Sequence, residues 1–391
     1  MTHKLTAMAL FLTTFIVLYG SLHFYAFIKL KRAFSLDSRI SALIIFFMFV
    51  MVISPLVVHL FSKIEHESFI RILAYITYTW MGFLFLFDSW SFAFDIYRFF
   101  VYITSIILNK DLVRYTLAPG LSFFISLSFS FLVVTYGFFE ATHVRTERLI
   151  IETSKIPKNL GRLKIVQISD VHLGLIVREE RLRRIIKAVK EEAPDIFVST
   201  GDLLDGDIDN ISPLADMLHE IDSKYGGFAV TGNHEYYAGL QQAIDFTTKS
   251  GFSLLRGQGL TISAGINIAG VDDATGWDKS VGSESEADIL TRLPRERFTL
   301  LLKHRPVIFE QSEGLFDLQL SGHTHGGQIF PFSLLTQLAF PTDGGLFEIS
   351  TNSYLYVSRG AGTWGPPIRF LSPPEVTVIE LVYSEKTAVG E

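Results

Sequence analysis

Leu163-Lys164-Ile165-Val166-Gln167-Ile168 runs directly into Ser169-Asp170-Val171-His172, and this junction decides how the second half of the chain reads. The first six residues are short and rich in β-branched side chains, the pattern of a buried strand. The four that follow carry a carboxylate and an imidazole two positions apart. The same event recurs four times. A strand-like run at 196–200 leads to Gly201-Asp202-Leu203-Leu204-Asp205, and one at 227–231 to Gly232-Asn233-His234-Glu235. Runs at 298–303 and 318–321 lead to His304 and to Gly322-His323-Thr324-His325.

Outward from these junctions, amphipathic helices are expected at 179–191, 211–220 and 239–250. Further strands are expected near 252–255, 260–263, 266–271, 355–358 and 376–382. Strands alternating with helices argue for an α/β layered fold. In open α/β sheets ligands gather where strands end in loops, so five motifs distant in sequence can converge on one pocket.

The N-terminal part is of another kind. Four apolar runs, about 5–30, 40–61, from 69 onward, and 121–139, each reach the roughly 20 residues a helix needs to cross a bilayer. The third is interrupted by Asp88, Asp95 and Arg98; it either stops near Phe92 or continues toward Leu108. Intramembrane charges are often functional; here the favoured reading is that the stretch surfaces at the interface, where Asp95 and Arg98 pair. The first run is too long for a cleaved signal peptide and has no small-residue cleavage site. The chain therefore divides into a helical membrane anchor, 1–142, and a soluble domain, 143–391. Basic residues flank spans on both sides, including Lys29, Lys31, Arg32 and Arg39 against Arg145, Arg148, Lys155 and Lys158. The side of the membrane stays open.

Charge divides at the same place. The first 142 residues carry 10 basic and 7 acidic side chains and the rest 24 and 33, so the net −6 splits into +3 and −9. An acidic soluble domain is a poor partner for nucleic acid. With no cysteine, thiolate–metal sites, disulfides and cysteine nucleophiles are excluded.

The motifs themselves suit metal chemistry. Imidazoles mixed with carboxylates fit manganese, iron or zinc better than an all-oxygen set would. A carboxylate such as Asp202 can bridge two ions about 3.5–4 Å apart, a pair that acidifies a shared water and holds two phosphate oxygens for in-line attack. Each motif alone is commonplace. Yet of the six histidines after His143, five (172, 234, 304, 323, 325) fall inside the motifs and only His219 does not.

The ordered series D-x-H, G-D-x-x-D, G-N-H-E, H and G-H-x-H resembles the calcineurin-like metallophosphoesterase superfamily across about residues 163–382. The resemblance implies a four-layer α/β/β/α sandwich. It implies a first metal on Asp170, His172, Asp202 and His325, and a second on Asp202, Asn233, His304 and His323. It makes His234 the general acid, with Asp205 and Glu235 orienting it. Gly322-His323-Thr324-His325-Gly326-Gly327-Gln328, the Val271-Asp272-Asp273 turn and Arg359-Gly360-Ala361-Gly362 resemble bacterial membrane-associated phosphodiesterases of the YkuE/YaeI type. Related anchored enzymes act on UDP-diacylglucosamine. Leu203-Leu204-Asp205-Gly206 lacks the arginine of the Ser/Thr protein phosphatases, which speaks against that activity.

The expectation is a two-metal phosphohydrolase, manganese first and iron, zinc or magnesium as alternatives. It would cleave a phosphodiester or pyrophosphate, lipid-linked by virtue of the anchor, with no nucleic acid and no obligate protein partner. Its place would be a bacterial cytoplasmic membrane, as a multi-pass protein. Hydrolysis of soluble or cyclic nucleotides or phosphomonoesters, and a non-catalytic membrane scaffold, are the alternatives. Arg359 and Arg369 are candidate phosphate-gripping residues, with ordinary ion pairing or loop capping the competing reading. Trp364-Gly365-Pro366-Pro367 is a rigid loop that either meets a ligand or packs.

Overall fold

Uninterrupted apolar runs leave the backbone no better partner than itself, and four long helices result. The computed structural model describes residues 2–61, 67–206, 211–276, 285–385 and 388–390. The helices are α1 (Thr2–Ala33), α2 (Ser38–Phe61), α3 (Glu67–Leu108) and α4 (Pro119–Glu140). Asp37 caps α2, its Oδ1 accepting the N–H of Arg39 at 2.8 Å and of Ile40 at 2.9 Å. Pro119 occupies the first position of α4, where a missing N–H costs nothing. α3 is one continuous helix of 42 residues, about 63 Å at 1.5 Å per residue, so the third run continues to Leu108.

The described residues form two compact units, Met1–Gly137 and Phe138–Glu391. In the first, Tyr19 and Ala26 pack against Leu84 and Phe87, with Met48, Val52, Phe123 and Leu127 around them. Its outward residues, such as Leu43, Phe46, Ile107 and Phe131, are exposed and apolar. All four helices are long and apolar enough to cross a membrane, and that surface associates the unit with one. Asp95 pairs with Arg98 at 3.4 Å as expected, but it also meets Lys29 and accepts from Tyr25 at 2.8 Å. Asp88 is different: it is buried within the unit and so does not surface with the other two.

The second unit begins with β1 (Arg145–Thr153), β2 (Arg162–Ile168), α5 (Glu179–Glu192), β3 (Ile196–Ser199), α6 (Ser212–His219) and β4 (Gly227–Ala229). It continues through α7 (Asn233–Ala238), α8 (Leu240–Lys249), β5 (Phe252–Leu254), β6 (Gln258–Thr261), β7 (Asn267–Gly270), α9 (Glu286–Thr291) and β8 (Thr299–Leu302). Then come β9 (Leu318–Ser321), α10 (Phe332–Ala339), β10 (Gly345–Ser350), β11 (Ser353–Val357), β12 (Glu375–Tyr383) and β13 (Ala388–Gly390). The strands make two sheets, ordered β13-β1-β12-β2-β3-β4-β5 and β10-β11-β9-β8-β7-β6.

The sheets pack face to face. Leu163, Ile165, Ile196 and Val198 of the first meet Ile268, Leu300, Leu302 and Leu320 of the second in one buried cluster. Each such side chain, removed from water, contributes about 1.5–3 kcal/mol. α5 covers the outer face of the first sheet against β12, burying Leu182, Ile185, Ile186 and Val189. α9 covers the second, Ile289 and Leu290 lying on Ala269 and Leu301. The result is the layered α/β/β/α arrangement.

Strands β2, β3 and β4 run parallel in one sheet, and β7, β8 and β9 in the other. Five of these six strands release the five motifs. Among the described residues, six elements of this unit carry no sequence expectation: β1, α7, α9, α10, β10 and β13. β1 shows its period-two alternation in Leu149, Ile151 and Thr153, which are buried, but its basic N-terminal half reads as a flank of the preceding span.

Candidate metal centre

The motifs leave their strands through strained backbone. Among the described residues ten non-glycine residues have φ in the left-handed region, and five of them are Asp170 (50°), His172 (51°), Asp202 (52°), His323 (74°) and His325 (53°). That conformation costs an L-residue roughly 1–2 kcal/mol, so its concentration on five of seven expected ligands marks a site built against local preference. Of the three glycines before the motifs, Gly201 has the φ of 98° that a turn requires. Gly232 and Gly322 are needed for space instead: a Cβ there would fall 2.1 Å from the carboxylates of Asp202 and Asp170 respectively.

The expected donors converge in two groups, Asp170–His172–His325 and Asp202–His304–His323, and a third cluster, His172–Asp205–His234, adjoins the first. Nε2 of His172 and Nε2 of His325 lie 3.0 Å apart, and Nε2 of His304 lies 3.1 Å from Nδ1 of His323. Asp170 Oδ1 is 3.4 Å from His325 Nε2 and 3.9 Å from His172 Nε2. Asp202 is a member of the second group and faces a histidine of the first. Its Oδ2 is 3.2 Å from His304 Nε2 and 3.8 Å from His172 Nε2, while its Oδ1 accepts the His234 N–H at 2.9 Å. Asn233 opens α7 beside them. Its Oδ1 is buried without a hydrogen-bond partner among the described residues, a carbonyl that a cation would satisfy. This donor chemistry fits divalent metal binding.

A surrounding layer sets the rings. Nδ1 of His304 lies 2.8 Å from the Thr200 carbonyl, a bond that crosses from one sheet to the other. Gln167 makes a second crossing, its Nε2 donating to Ser321 O at 3.1 Å and Thr200 Oγ1 at 2.9 Å. Asp205 Oδ1 stands 3.4 Å from His172 Nδ1 and 3.3 Å from His234 Nδ1, so its carboxylate lies beside two imidazoles rather than one. Glu235 does not orient His234. Its buried carboxylate accepts N–H bonds from Gly232 (2.6 Å), Asp202 (3.0 Å), Leu203 (2.8 Å) and Leu204 (3.4 Å), tying two ligand loops together.

The charge balance follows from these neighbours. Burial disfavours the ionised form of Asp202, yet His304, His234 and His172 hold it well below the usual carboxylate range. Burial also lowers His304, but the Asp202 carboxylate reverses this and raises it to about 10. His234 likewise rises to about 9, through Asp205 and the charge of Asp202. His323 falls to about 3, from burial and the nearby charges of His304 and Arg305.

The two arginines face protein. Arg359 pairs with Glu375 at 2.5 Å and with Glu147. Arg369 is fully buried, its guanidinium donating to the carbonyls of Gly362 (2.6 Å) and Arg359 (2.7 Å) and lying 3.2 Å from His325 Nδ1. Ion pairing and loop capping, the competing reading for both, describe these contacts. Trp364 is half exposed, 5.9 Å centre to centre from the His234 ring.

Comparison with known proteins places this arrangement. The calcineurin-like phosphoesterase family model matches residues 163–327. An uncharacterized metallophosphoesterase of Aquifex aeolicus is 43% identical over 255 residues, 64% of this chain and 96% of that protein. The uncharacterized metallophosphoesterase YkuE of Bacillus subtilis is 33% identical over 264 residues, 63% of this chain and 89% of its own. A transmembrane protein with metallophosphoesterase domain from Danio rerio is 32% identical over 243 residues, 59% of this chain and 56% of its own. Such identity over nearly the whole of the Aquifex protein leaves one assignment: the chain belongs to the calcineurin-like metallophosphoesterases and is a metal-dependent phosphoester hydrolase.

Proposed function

We infer that the chain holds two divalent ions and cleaves a phosphodiester or pyrophosphate whose substrate is lipid-linked, as a multi-pass protein of a bacterial cytoplasmic membrane. The observation carrying the two-ion reading is Asp202, whose Oδ2 faces a histidine of each donor group. Asp170, His172 and His325 would complete one ion's ligands, and Asn233, His304 and His323 the other's. Nitrogen and oxygen donors in this mixture favour manganese, with iron, zinc or magnesium next.

When bound, such a pair supplies Lewis acidity and a nucleophilic water at neutral pH. The protein's part is placement. Glu235 and the cross-sheet bonds of His304 and Gln167 hold the donor loops in register. His234, tied through Nδ1 to the Asp205 carbonyl at 2.7 Å, presents its Nε2 to protonate the leaving oxygen. The lipid-linked substrate rests on the four membrane-length helices in the same chain.

The test is a panel of soluble phosphodiesters, cyclic nucleotides and lipid-linked pyrophosphates, run with the purified full-length protein across Mn, Mg, Zn and Ca. Preference for the lipid-linked class is expected; turnover of soluble nucleotides alone would overturn that part. Asp202→Ala should abolish both metal uptake and turnover, and retained activity would sink the shared-ligand assignment.

A further inference from the structure

An eight-residue helix in the catalytic unit buries none of its side chains. α10 exposes Phe332, Leu334, Leu335 and Leu338, the last at 82%, and the adjoining Phe330 and Leu371 extend the same apolar ridge. From Gln328 to Thr342 the sequence contains no charged residue. By contrast α5, also on the surface, turns Arg183, Arg184, Lys187 and Glu191 to water. Scattered exposed apolar residues need no explanation, but a contiguous set of this kind marks a contact surface.

The ridge is strapped to the metal-ligand loop. Thr324, between His323 and His325, donates its Oγ1 to the Asp343 carbonyl at 2.7 Å, fixing the far end of the α10 segment. At the near end Phe330 N–H bonds to Phe370 O at 3.1 Å, which sets Leu371 beside it. Phe340 lies 5.2 Å from the His323 ring. Around His234, Tyr237 is exposed with its ring 5.3 Å from the imidazole, and the half-exposed Trp364 ring is 5.9 Å from it. Apolar and amphipathic aromatic groups thus border the site on two sides, the composition that sits at a membrane–water interface.

We propose that the α10 ridge docks on a lipid surface and turns the mouth of the metal centre toward the bilayer. The occupant is lipid because the same chain supplies the membrane-length helices and only residues 141–144 separate α4 from β1. The domain is therefore tethered where a bilayer is always within reach. With a net −9 over residues 143–391, attraction to anionic headgroups cannot drive the contact, so it is apolar and insensitive to salt. The proposal adds a surface to the lipid-linked reading above and rests on it only for its use.

The chain contains no cysteine, so a single Leu338→Cys substitution carries one environment-sensitive fluorophore, and Lys187→Cys on α5 serves as the control. Full-length protein is reconstituted in phosphatidylcholine vesicles with and without brominated acyl chains. Quenching by the brominated lipid of about two-fold or more at 338, absent at 187 and unchanged by 0.5 M salt, is the expected result. Equal quenching at both positions overturns the proposal. So does a shielded but unquenched label at 338, the signature of a protein partner or second copy. If 338 is quenched while the wild type hydrolyses no lipid-linked phosphate, the docking surface stands and the lipid-substrate reading alone falls. The Leu335→Asp/Leu338→Asp pair should cut hydrolysis of a vesicle-borne lipid pyrophosphate by roughly ten-fold. It should leave a soluble diester unaffected.

Discussion

At the scale of single residues, the division of labour between Asn233 and His234 is the most informative feature. They are adjacent, yet one carries a buried unpartnered carbonyl that a metal ion would satisfy and the other points to the Asp205 carbonyl. His234→Ala should therefore keep its metal content while losing turnover by about 10²–10⁴-fold, the usual scale of general acid catalysis. Metal analysis alongside steady-state rates checks this. The loss should shrink for a p-nitrophenolate leaving group, which needs no proton; an equal loss for all leaving groups would assign His234 another role. Most of the donors were legible at this scale, because histidine concentrated in the motifs. The approach of Asp205 to His172 was not, since nothing in the spacing shows which of two rings a carboxylate lies beside. Nor could spacing show Arg369 wholly enclosed among carbonyls.

At the scale of elements, the two loops after β3 and β4 behave as one piece because Glu235 accepts four backbone N–H groups from them. A hydrogen bond to a charged group contributes about 1.5–3 kcal/mol, and Glu235→Gln keeps the shape while removing the charge. We expect it to lower unfolding stability by about 2 kcal/mol and to weaken metal binding, measured by denaturant titration and metal-uptake calorimetry. Unchanged values for both would show the strap to be dispensable. The core strands were legible because a strand buried on both faces is continuously apolar, as 163–168 is. β1 and α10 were not. The first hides behind a charge pattern shared with membrane flanks, and the second is apolar for a reason other than burial. Glu235 was read as a partner of His234 because side chains adjacent in sequence suggest adjacency in space, whereas a helix start sends them apart.

At the scale of the whole molecule, removing residues before His143 separates chemistry from location. The truncated chain keeps β1 and all candidate donors. It should hydrolyse a soluble diester within about three-fold of the intact protein, yet lose on the order of 10² in rate on a vesicle-borne substrate, as effective concentration falls. Parallel assays on both substrates decide it; equal loss on the two would mean the helices serve the fold. The five left-handed donors carry a further meaning at this scale. At roughly 1–2 kcal/mol each, their combined strain rivals the ~5–15 kcal/mol net stability of a typical domain. Glycine relieves such a backbone and alanine does not. His172→Gly should thus melt at a higher temperature than His172→Ala, though both are inactive. A lineage that abandoned catalysis would find its stabilising substitutions waiting at these five positions, so glycine or asparagine there in a descendant is the mark by which lost activity can be read.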